Sequence, residues 1–258
     1  MSTVLSVNLN KIALLRNSRE TTIPSVVEAA VTCIQAGAQG ITVHPRPDMR
    51  HIRPSDVYDL AELLSGPDYS DIEFNIEGNP YAGPEENGYP GFMTLVDAVK
   101  PDQCTLVPDD PIQLTSDHGW DLSGESNQLT EIVKELQRQK IRVSLFMDPD
   151  PQQIELAARL GVERIELYTG PFADHFQDEG KRQGYLTLFA EAARVASSLG
   201  LGVNAGHDLN LENLGAFCTE VLPVDEVSIG HAIITDALWM GLESTVRQYC
   251  SILDTLKP

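Results

Sequence analysis

The chain has 258 residues, of which 42% are hydrophobic, and this is enough apolar material for one large domain with a sizeable core. Its formal net charge of -20 argues against binding to nucleic acid and to anionic membranes, because the overall field repels both. No apolar stretch of 18 residues predicts a membrane span, and the N-terminus lacks a charged segment and a cleavage site. We therefore expect a cytoplasmic protein. Small anionic substrates remain compatible with this charge, because a few local arginines and backbone amides outweigh a distant field.

The four cysteines are far apart in the sequence and form no CxxC pair. They are Cys33, Cys104, Cys218 and Cys250. This spacing is typical of free thiols in a reducing compartment and predicts neither a disulfide framework nor a zinc site.

Strand-like and helix-like runs alternate along the chain. Eight short apolar runs predict strands at residues 4–10, 40–44, 73–77, 103–107, 142–148, 164–169, 202–206 and 226–230. Amphipathic stretches predict helices that include residues 25–36, 55–64, 127–139, 151–160, 184–199 and 232–256. Several helices close with the glycine expected just past a helix end.

This alternation in units of about 30 residues is typical of parallel βα units. Eight strands favour a closed (β/α)8 barrel, formed by residues 1–258 as a single domain, over an open doubly wound sheet, which usually has fewer strands. No glycine-rich GxGxxG or GxxxxGK[ST] loop follows the first strand, and this further disfavours a nucleotide-binding sheet.

Polar residues lie near the ends of five predicted strands. Three of the six histidines (His44, His207 and His231) follow apolar runs, and Glu77 and Glu166 lie near the ends of two more. Barrels of this class place their chemistry at the carboxyl ends of the strands. One such residue alone is more often a satisfied core group, but the pattern recurs on most strands.

Alternation along the strands predicts a polar barrel interior. One face carries Asn8 and Asn10 in the first strand, Thr42 and His44 in the second, and Glu73, Asn75 and Glu77 in the third. Polar groups inside a barrel need partners or a use.

Residues 78–91, with the sequence GNPYAGPEENGYPG, form a long predicted loop directly after Glu77. The loop is compatible with a lid over the strand end and with a tolerated insertion, and the sequence slightly favours the insertion.

Eight motifs then occur in a fixed order. They are VNLNKIALLRNSR, GITVHPRPDMRHI, FNIEG, LVPDDPIQLTSDHGWDL, VSLFMD, IELYTG, VNAGHDLN and IGHAII. Over residues 4–242 the chain is similar to the pyridoxine 5'-phosphate synthase family, the ring-closing enzymes of the deoxyxylulose-dependent route to vitamin B6. The resemblance implies a (β/α)8 barrel with a few extra helices, assembled as a homo-oligomer, an octamer built as a tetramer of dimers. It also implies phosphorylated substrates and no metal or organic cofactor.

The implied reaction joins 3-amino-2-oxopropyl phosphate to 1-deoxy-D-xylulose 5-phosphate and yields pyridoxine 5'-phosphate, phosphate and water. The resemblance makes His44 and Glu77 proton acceptors, His207 the proton donor and Glu166 a carboxylate that stabilises developing charge. Imidazole titrates near neutral pH, and a carboxyl group in a barrel mouth has a raised pKa, so these residue types suit proton transfer.

Further residues match substrate contacts in the family. Arg46, His51 and Thr115 match contacts to deoxyxylulose phosphate, and Asn8 and Arg19 match contacts to the amino ketone phosphate. This arginine can reach a neighbouring subunit's site in the family. Gly230 and His231 follow the last strand, where barrels bind phosphate through the N-terminus of a short helix.

Three features depart from the family pattern, and one of them is the longer loop at residues 78–91. Asn10 and Lys11 replace an Asp-His pair, and we expect binding that is retained but retuned. Asp208 replaces a glycine that supplies a backbone contact, and its charge near a phosphate site puts substrate affinity in doubt.

Two other functions stay open. His44, Glu77, Glu166 and His207 could ligate a divalent cation in a metal-dependent sugar-phosphate isomerase or lyase. Alternatively, the chain could be a catalytically silent barrel that binds a phosphorylated metabolite, and Asp208 is the residue that suggests this.

Overall fold

A computed structural model describes residues 3–19, 21–110, 112–124 and 126–256. Eight parallel strands follow one another around a closed barrel, and the last pairs with the first. They are β1 (Val4–Asn8), β2 (Gly40–Val43), β3 (Glu73–Gly78), β4 (Gln103–Leu106), β5 (Arg142–Met147), β6 (Arg164–Leu167), β7 (Gly202–His207) and β8 (Glu226–Ile229). This confirms the predicted (β/α)8 class.

Eleven α-helices lie within the described residues. They are α1 (Asn10–Asn17), α2 (Val26–Gln35), α3 (Pro54–Leu64), α4 (Phe92–Val99), α5 (Asn127–Arg138), α6 (Pro151–Leu160), α7 (Gly170–Asp174), α8 (Glu179–Ser198), α9 (Leu214–Glu220), α10 (His231–Met240) and α11 (Leu242–Thr255). The single helix predicted at 232–256 is wrong, because Gly241 adopts a φ of +79° and breaks the segment into α10 and α11.

The first strand is shorter than predicted. It ends at Asn8, whose side-chain Oδ1 accepts a hydrogen bond from the backbone N of Asn10 at 3.0 Å. This turn starts α1 at Asn10, so the prediction that Asn8 and Asn10 share a strand face is wrong. The Asn10 side chain nevertheless bridges two strand ends, because its Oδ1 accepts from the backbone N of His44 at 2.9 Å.

The two faces of the strands differ as the alternation predicts. Outward-facing residues such as Val7, Ile41 and Val203 are fully buried in the apolar layer between strands and helices. The inward-facing side chains are polar and bond to one another across strands. The inner pairs are Ser6 with Thr42, Asn75 with Thr42 and with Thr105, Arg142 with Glu73 and with Gln103, and Arg164 with Asn204 and with Glu226. The barrel interior is therefore held by cross-strand hydrogen bonds and ion pairs.

The long loop after β3 is anchored to its neighbours. The Tyr89 hydroxyl, which is buried, donates to the backbone O of Pro45 at 3.1 Å, and Asn87 Nδ2 donates to that of Pro47 at 2.8 Å. Asn79 Nδ2 donates to the backbone O of Asp109 at 2.8 Å. The loop thereby ties together the segments that follow β2 and β4.

None of the helices in the described ranges is long and apolar enough to cross a membrane.

Strands β7 and β8 approach so closely that only glycine fits at position 206. A Cβ there would lie 1.9 Å from the backbone O of Ser228. We expect Gly206→Ala to lower the free energy of unfolding by ~3 kcal/mol or more, because backbone atoms cannot move aside as a side chain can. Urea unfolding monitored by circular dichroism measures this. The matched control is Gly184→Ala in α8, where an added Cβ meets nothing within 4 Å and where alanine should be neutral or stabilising by ~0.5–1 kcal/mol. Equal effects at the two positions would contradict this account.

Candidate active site

A cavity of about 360 Å3 opens at the carboxyl ends of the strands. It is lined by every predicted site residue except Arg19. These are Asn8, Asn10, Lys11, His44, Arg46, His51, Glu77, Thr115, Glu166, His207, Asp208, Gly230 and His231. Arg19 follows α1 on the exposed surface, so its predicted role at a neighbouring subunit's site stays a prediction. A more open hollow of about 580 Å3 lies beside α11, but its two charged residues, Glu243 and Arg247, already pair with each other.

Two buried carboxyl groups lie at the floor of this cavity. Burial raises the pKa of Glu77 to about 7; His207 opposes the shift and Asp109 adds to it. Burial, with Glu77 nearby, raises the pKa of Glu166 well above its ordinary value. Glu77 Oε2 accepts a hydrogen bond from Asn8 Nδ2 at 3.3 Å, whereas Glu166 Oε2 has no hydrogen-bond partner among the described residues. The pair can therefore hold protons near neutral pH and exchange them with a ligand.

His44 is a neutral imidazole in this site. Burial, together with the positive charges of Arg46 and other neighbours, lowers its pKa well below the ordinary value of 6.5. Its ring packs edge-on against that of His51, with 6.3 Å between the ring centroids. Burial also lowers the pKa of His51, to about 3. A neutral imidazole has a free nitrogen lone pair and can accept a proton.

Positive charge gathers on one side of the mouth, although the whole chain is acidic. Lys11, Arg46 and Arg50 all line the cavity, and burial together with the two arginines lowers the pKa of Lys11. Helix α10 begins at His231, behind Gly230, which has no side chain to cap the first N–H groups. Three cationic side chains and a helix N-terminus are suited to bind phosphate groups.

His207 is held between two oxygen atoms. Its Nδ1 lies 2.7 Å from Asp208 Oδ2, and its Nε2 lies 2.8 Å from Thr115 Oγ1. The ring contacts Tyr168 edge-on at 5.6 Å between centroids. The imidazole is therefore fixed at both nitrogens.

Several residues that line or support the cavity were missed from the sequence. Asp109 is buried in the segment after β4 and forms an ion pair with Arg46. Its Oδ2 accepts a hydrogen bond from Ser116 Oγ at 2.8 Å and lies 3.8 Å from His44 Nε2. Arg50 lies within the GITVHPRPDMRHI motif. Asp109 and Asp110 follow shortly after β4, so they carried the same signal as the polar residues near the ends of the other strands. Leu14, Val107, Leu114, Ser116, Phe146 and Ser228 complete the lining.

Across the described ranges, no group of three or more His, Cys, Asp or Glu side chains is arranged to hold a metal ion.

Comparison with known proteins decides the family. Residues 5–255 match the family model described as pyridoxal phosphate biosynthesis protein PdxJ. This chain belongs to the PdxJ family. Among curated PdxJ-like relatives, the pyridoxine 5'-phosphate synthase of Xanthomonas oryzae pv. oryzae is 55% identical over 253 residues, which are 98% of this chain and 97% of that protein. The pyridoxine 5'-phosphate synthase of Xylella fastidiosa is 52% identical over 256 residues, which are 99% of this chain and 96% of that protein.

Two solved structures with the same barrel share much less sequence with this chain. A 3-keto-L-gulonate-6-phosphate decarboxylase from Vibrio cholerae superposes with a TM-score of 0.64 at 10% identity and covers 100% of both chains. A phosphoribosyl anthranilate isomerase from Thermus thermophilus gives a TM-score of 0.58 at 15% identity over 99% of this chain and 100% of its own. At such identities the likeness shows the fold alone.

Proposed function

We propose that this PdxJ protein is a pyridoxine 5'-phosphate synthase, which condenses 3-amino-2-oxopropyl phosphate with 1-deoxy-D-xylulose 5-phosphate. The observation that carries the proposal is the convergence of two raised-pKa carboxyl groups, two histidines and a cationic rim on one cavity. The names of the relatives from Xanthomonas oryzae and Xylella fastidiosa support the same reaction.

The chemistry consists of proton transfers and eliminations. The amine of one substrate attacks the ketone of the other, and loss of water gives a Schiff base. Proton shifts then expel phosphate, and water adds to the unsaturated intermediate. An aldol-type closure followed by loss of two water molecules forms the aromatic ring. Each step needs a group that can take or give a proton near neutral pH.

Glu77 and His44 serve as the proton acceptors in this proposal. A pKa of about 7 leaves a substantial ionised fraction of Glu77 at neutral pH, and a base with a pKa near the working pH is the most effective. His44 is neutral for the reasons given above and accepts a proton at Nε2 or Nδ1. His207 ends β7, on the other side of the barrel from Glu77 on β3. It returns a proton to the leaving group.

Glu166 stabilises positive charge that develops on an intermediate. Its raised pKa favours the neutral acid. An iminium group beside it would favour the carboxylate, so the negative charge forms where the positive charge develops.

Binding is assigned to the rim. Arg46, His51 and Thr115 hold deoxyxylulose phosphate, and Asn8 holds the amino ketone phosphate. Gly230 and His231 offer the N-terminus of α10 to a phosphate group. Asn10 and Lys11 supply an amide and a cation at the same edge of the cavity. We further propose that the protein is a cytoplasmic octamer, a tetramer of dimers, in which the exposed Arg19 completes a neighbouring site.

A coupled assay tests the function. Deoxyxylulose phosphate and freshly generated 3-amino-2-oxopropyl phosphate are supplied with EDTA present, and pyridoxine 5'-phosphate is followed by mass together with phosphate release. Product that persists with EDTA is the expected result and contradicts the metal-dependent isomerase or lyase. Saturable binding of either phosphate without product would instead support the catalytically silent barrel.

A further inference from the structure

Asp208 stands where the family resemblance places a glycine, and its backbone is fixed on both sides. Thr169 Oγ1 donates to the backbone O of Gly206 and lies 3.4 Å from the backbone N of Asp208. Asn213 Nδ2 donates to the backbone O of Asp208 at 3.4 Å. His207 itself adopts a φ of +45°, a conformation that is uncommon for a large side chain. The chain therefore turns sharply here and brings two consecutive side chains together.

The Asp208 carboxylate meets the ring of His207 at one nitrogen only. Oδ2 lies 2.7 Å from Nδ1, and the other nitrogen, Nε2, lies 2.8 Å from Thr115 Oγ1. Tyr168 and Phe146 pack against the ring, with centroids at 5.6 and 6.3 Å. Rotation of the imidazole by a half turn would break both hydrogen bonds, so the ring has one preferred orientation.

This geometry selects a tautomer. An ionised carboxylate only accepts hydrogen bonds, so the Nδ1 that faces it must carry the proton. In the neutral ring, Nε2 is then the acceptor, and the Thr115 hydroxyl donates to it. When the ring gains a proton, the gained proton sits on Nε2 and the hydroxyl can turn to accept it. Glu77 and Asp109 also interact with His207 electrostatically, but Asp208 is the carboxylate bonded to the ring.

We propose that Asp208 is a positioning residue for His207, which keeps the ring in the Nδ1-protonated tautomer so that Nε2 gains and releases the catalytic proton. The proposal rests on the proposed function, since it assigns His207 its proton-donating atom. In this role the charge of Asp208 affects turnover and does not weaken phosphate binding. A carboxylate that orients a histidine in this way acts through geometry and through attraction to the protonated ring.

Two variants separate the roles. Asp208→Gly restores the residue that the resemblance implies and removes the acceptor at Nδ1. Asp208→Asn keeps a carbonyl oxygen that can accept from Nδ1–H but has no charge. Position 208 is partly exposed and its backbone contacts are unchanged in both variants, so we expect folded proteins, and thermal melts check this.

The first readout needs no substrate. In protein labelled with 15N-histidine, at a pH where the ring is neutral, the His207 signals should show the Nδ1-protonated tautomer, with His207→Asn identifying them. In Asp208→Gly they should move toward the average of the two tautomers, and Asp208→Asn should keep the wild-type tautomer. An unchanged tautomer in Asp208→Gly would overturn the proposal.

The second readout is kinetic. We expect kcat of Asp208→Gly to fall ~10- to 100-fold with KM for both substrates within about threefold, because a misoriented catalytic group affects turnover more than binding. Asp208→Asn should recover most of this loss. A changed KM at constant kcat would make Asp208 a substrate-binding residue and contradict the proposal. If the wild type forms no product, the proposed function fails, and the tautomer alone decides whether Asp208 positions the ring.

Discussion

Replacing Glu77 by glutamine should lower kcat ~100-fold or more and should stabilise the protein at neutral and alkaline pH. The first effect follows from the loss of a proton acceptor, since such groups usually contribute that much. The second follows from burial, which raises the pKa of Glu77 from 4.5 to about 7 and so makes the ionised form unfavourable in the folded state. Glutamine keeps a carbonyl oxygen for Asn8 Nδ2 and carries no charge.

The sign of the pH dependence can be worked out from these values. Below pH 4.5, Glu77 is protonated in both states and costs nothing. As the pH rises toward about 7, the unfolded chain loses its proton first, so the folded state loses stability over this window and stays at the lower value above it. At about 1.4 kcal/mol for each pKa unit between 4.5 and about 7, the cost approaches ~3.5 kcal/mol. Steady-state kinetics and urea unfolding at pH 5 and pH 8 measure the two effects.

Glu28→Gln is the control for this prediction, because Glu28 is exposed on α2 and lies outside the cavity. It should leave kcat unchanged. If Glu77→Gln left kcat within about twofold, Glu77 would lose its role as an acid or base. If it left the difference in stability between pH 5 and pH 8 unchanged, Glu77 would not be a buried ionisable group.

Local pattern predicted most of the barrel. All eight predicted strands are present, because alternation of apolar and polar residues is a property of each strand alone. The errors occur where a single residue redirects the backbone. Asn8 ends β1 by accepting from the N–H of Asn10, and Gly241 splits the last predicted helix. Hydropathy periodicity does not register a single hydrogen bond or a single positive φ.

The candidate site was predicted where the chemistry is carried by residues at strand ends or within a recognised motif. Asp109 satisfied both criteria and was still missed. Its contacts with Arg46 and Ser116 join two different loops, and such contacts are not visible in the sequence. Asp208 was recognised as a departure from the family pattern, and its effect on phosphate binding stays a prediction. Sequence shows a negative charge beside a phosphate site, whereas the fold shows that this charge is directed at His207 Nδ1.

The sequence pattern also does not reveal the residues that hold the loop formed by residues 46–53. Residues 46–53 carry Arg46 and His51, and they are held from α1. Arg16 forms a buried ion pair with Asp56 and donates through Nη2 to the backbone O of His51 at 3.3 Å. Asn17 Nδ2 donates to the same oxygen at 2.7 Å. Neither residue lines the cavity, so their contribution to binding is indirect.

Arg16→Met should therefore destabilise the protein by ~3–5 kcal/mol and raise KM for the phosphorylated substrates. Methionine fills part of the space but leaves the Asp56 carboxylate buried without its cation, and that uncompensated charge is the main cost. The loop then loses a hydrogen bond to the backbone O of His51, so Arg46 is less well positioned to bind substrate. KM should therefore rise by a larger factor than kcat falls. Urea unfolding at pH 7 and steady-state kinetics measure the two changes.

Two comparisons show whether burial is the cause. Asp56→Asn in the Arg16→Met background removes the unpaired buried charge. Its side-chain oxygen can still accept a hydrogen bond from the backbone N of Arg53, as Asp56 Oδ2 does at 2.8 Å. The free energy of unfolding should therefore partly recover while KM stays high. Arg247→Met breaks an exposed ion pair with Glu243 on α11 and should cost less than ~1 kcal/mol. Equal costs at Arg16 and Arg247 would contradict a buried anchor. A recovery of stability without recovery of KM would show that the guanidinium group acts on binding by its hydrogen bonds to the loop and acts on stability by its charge.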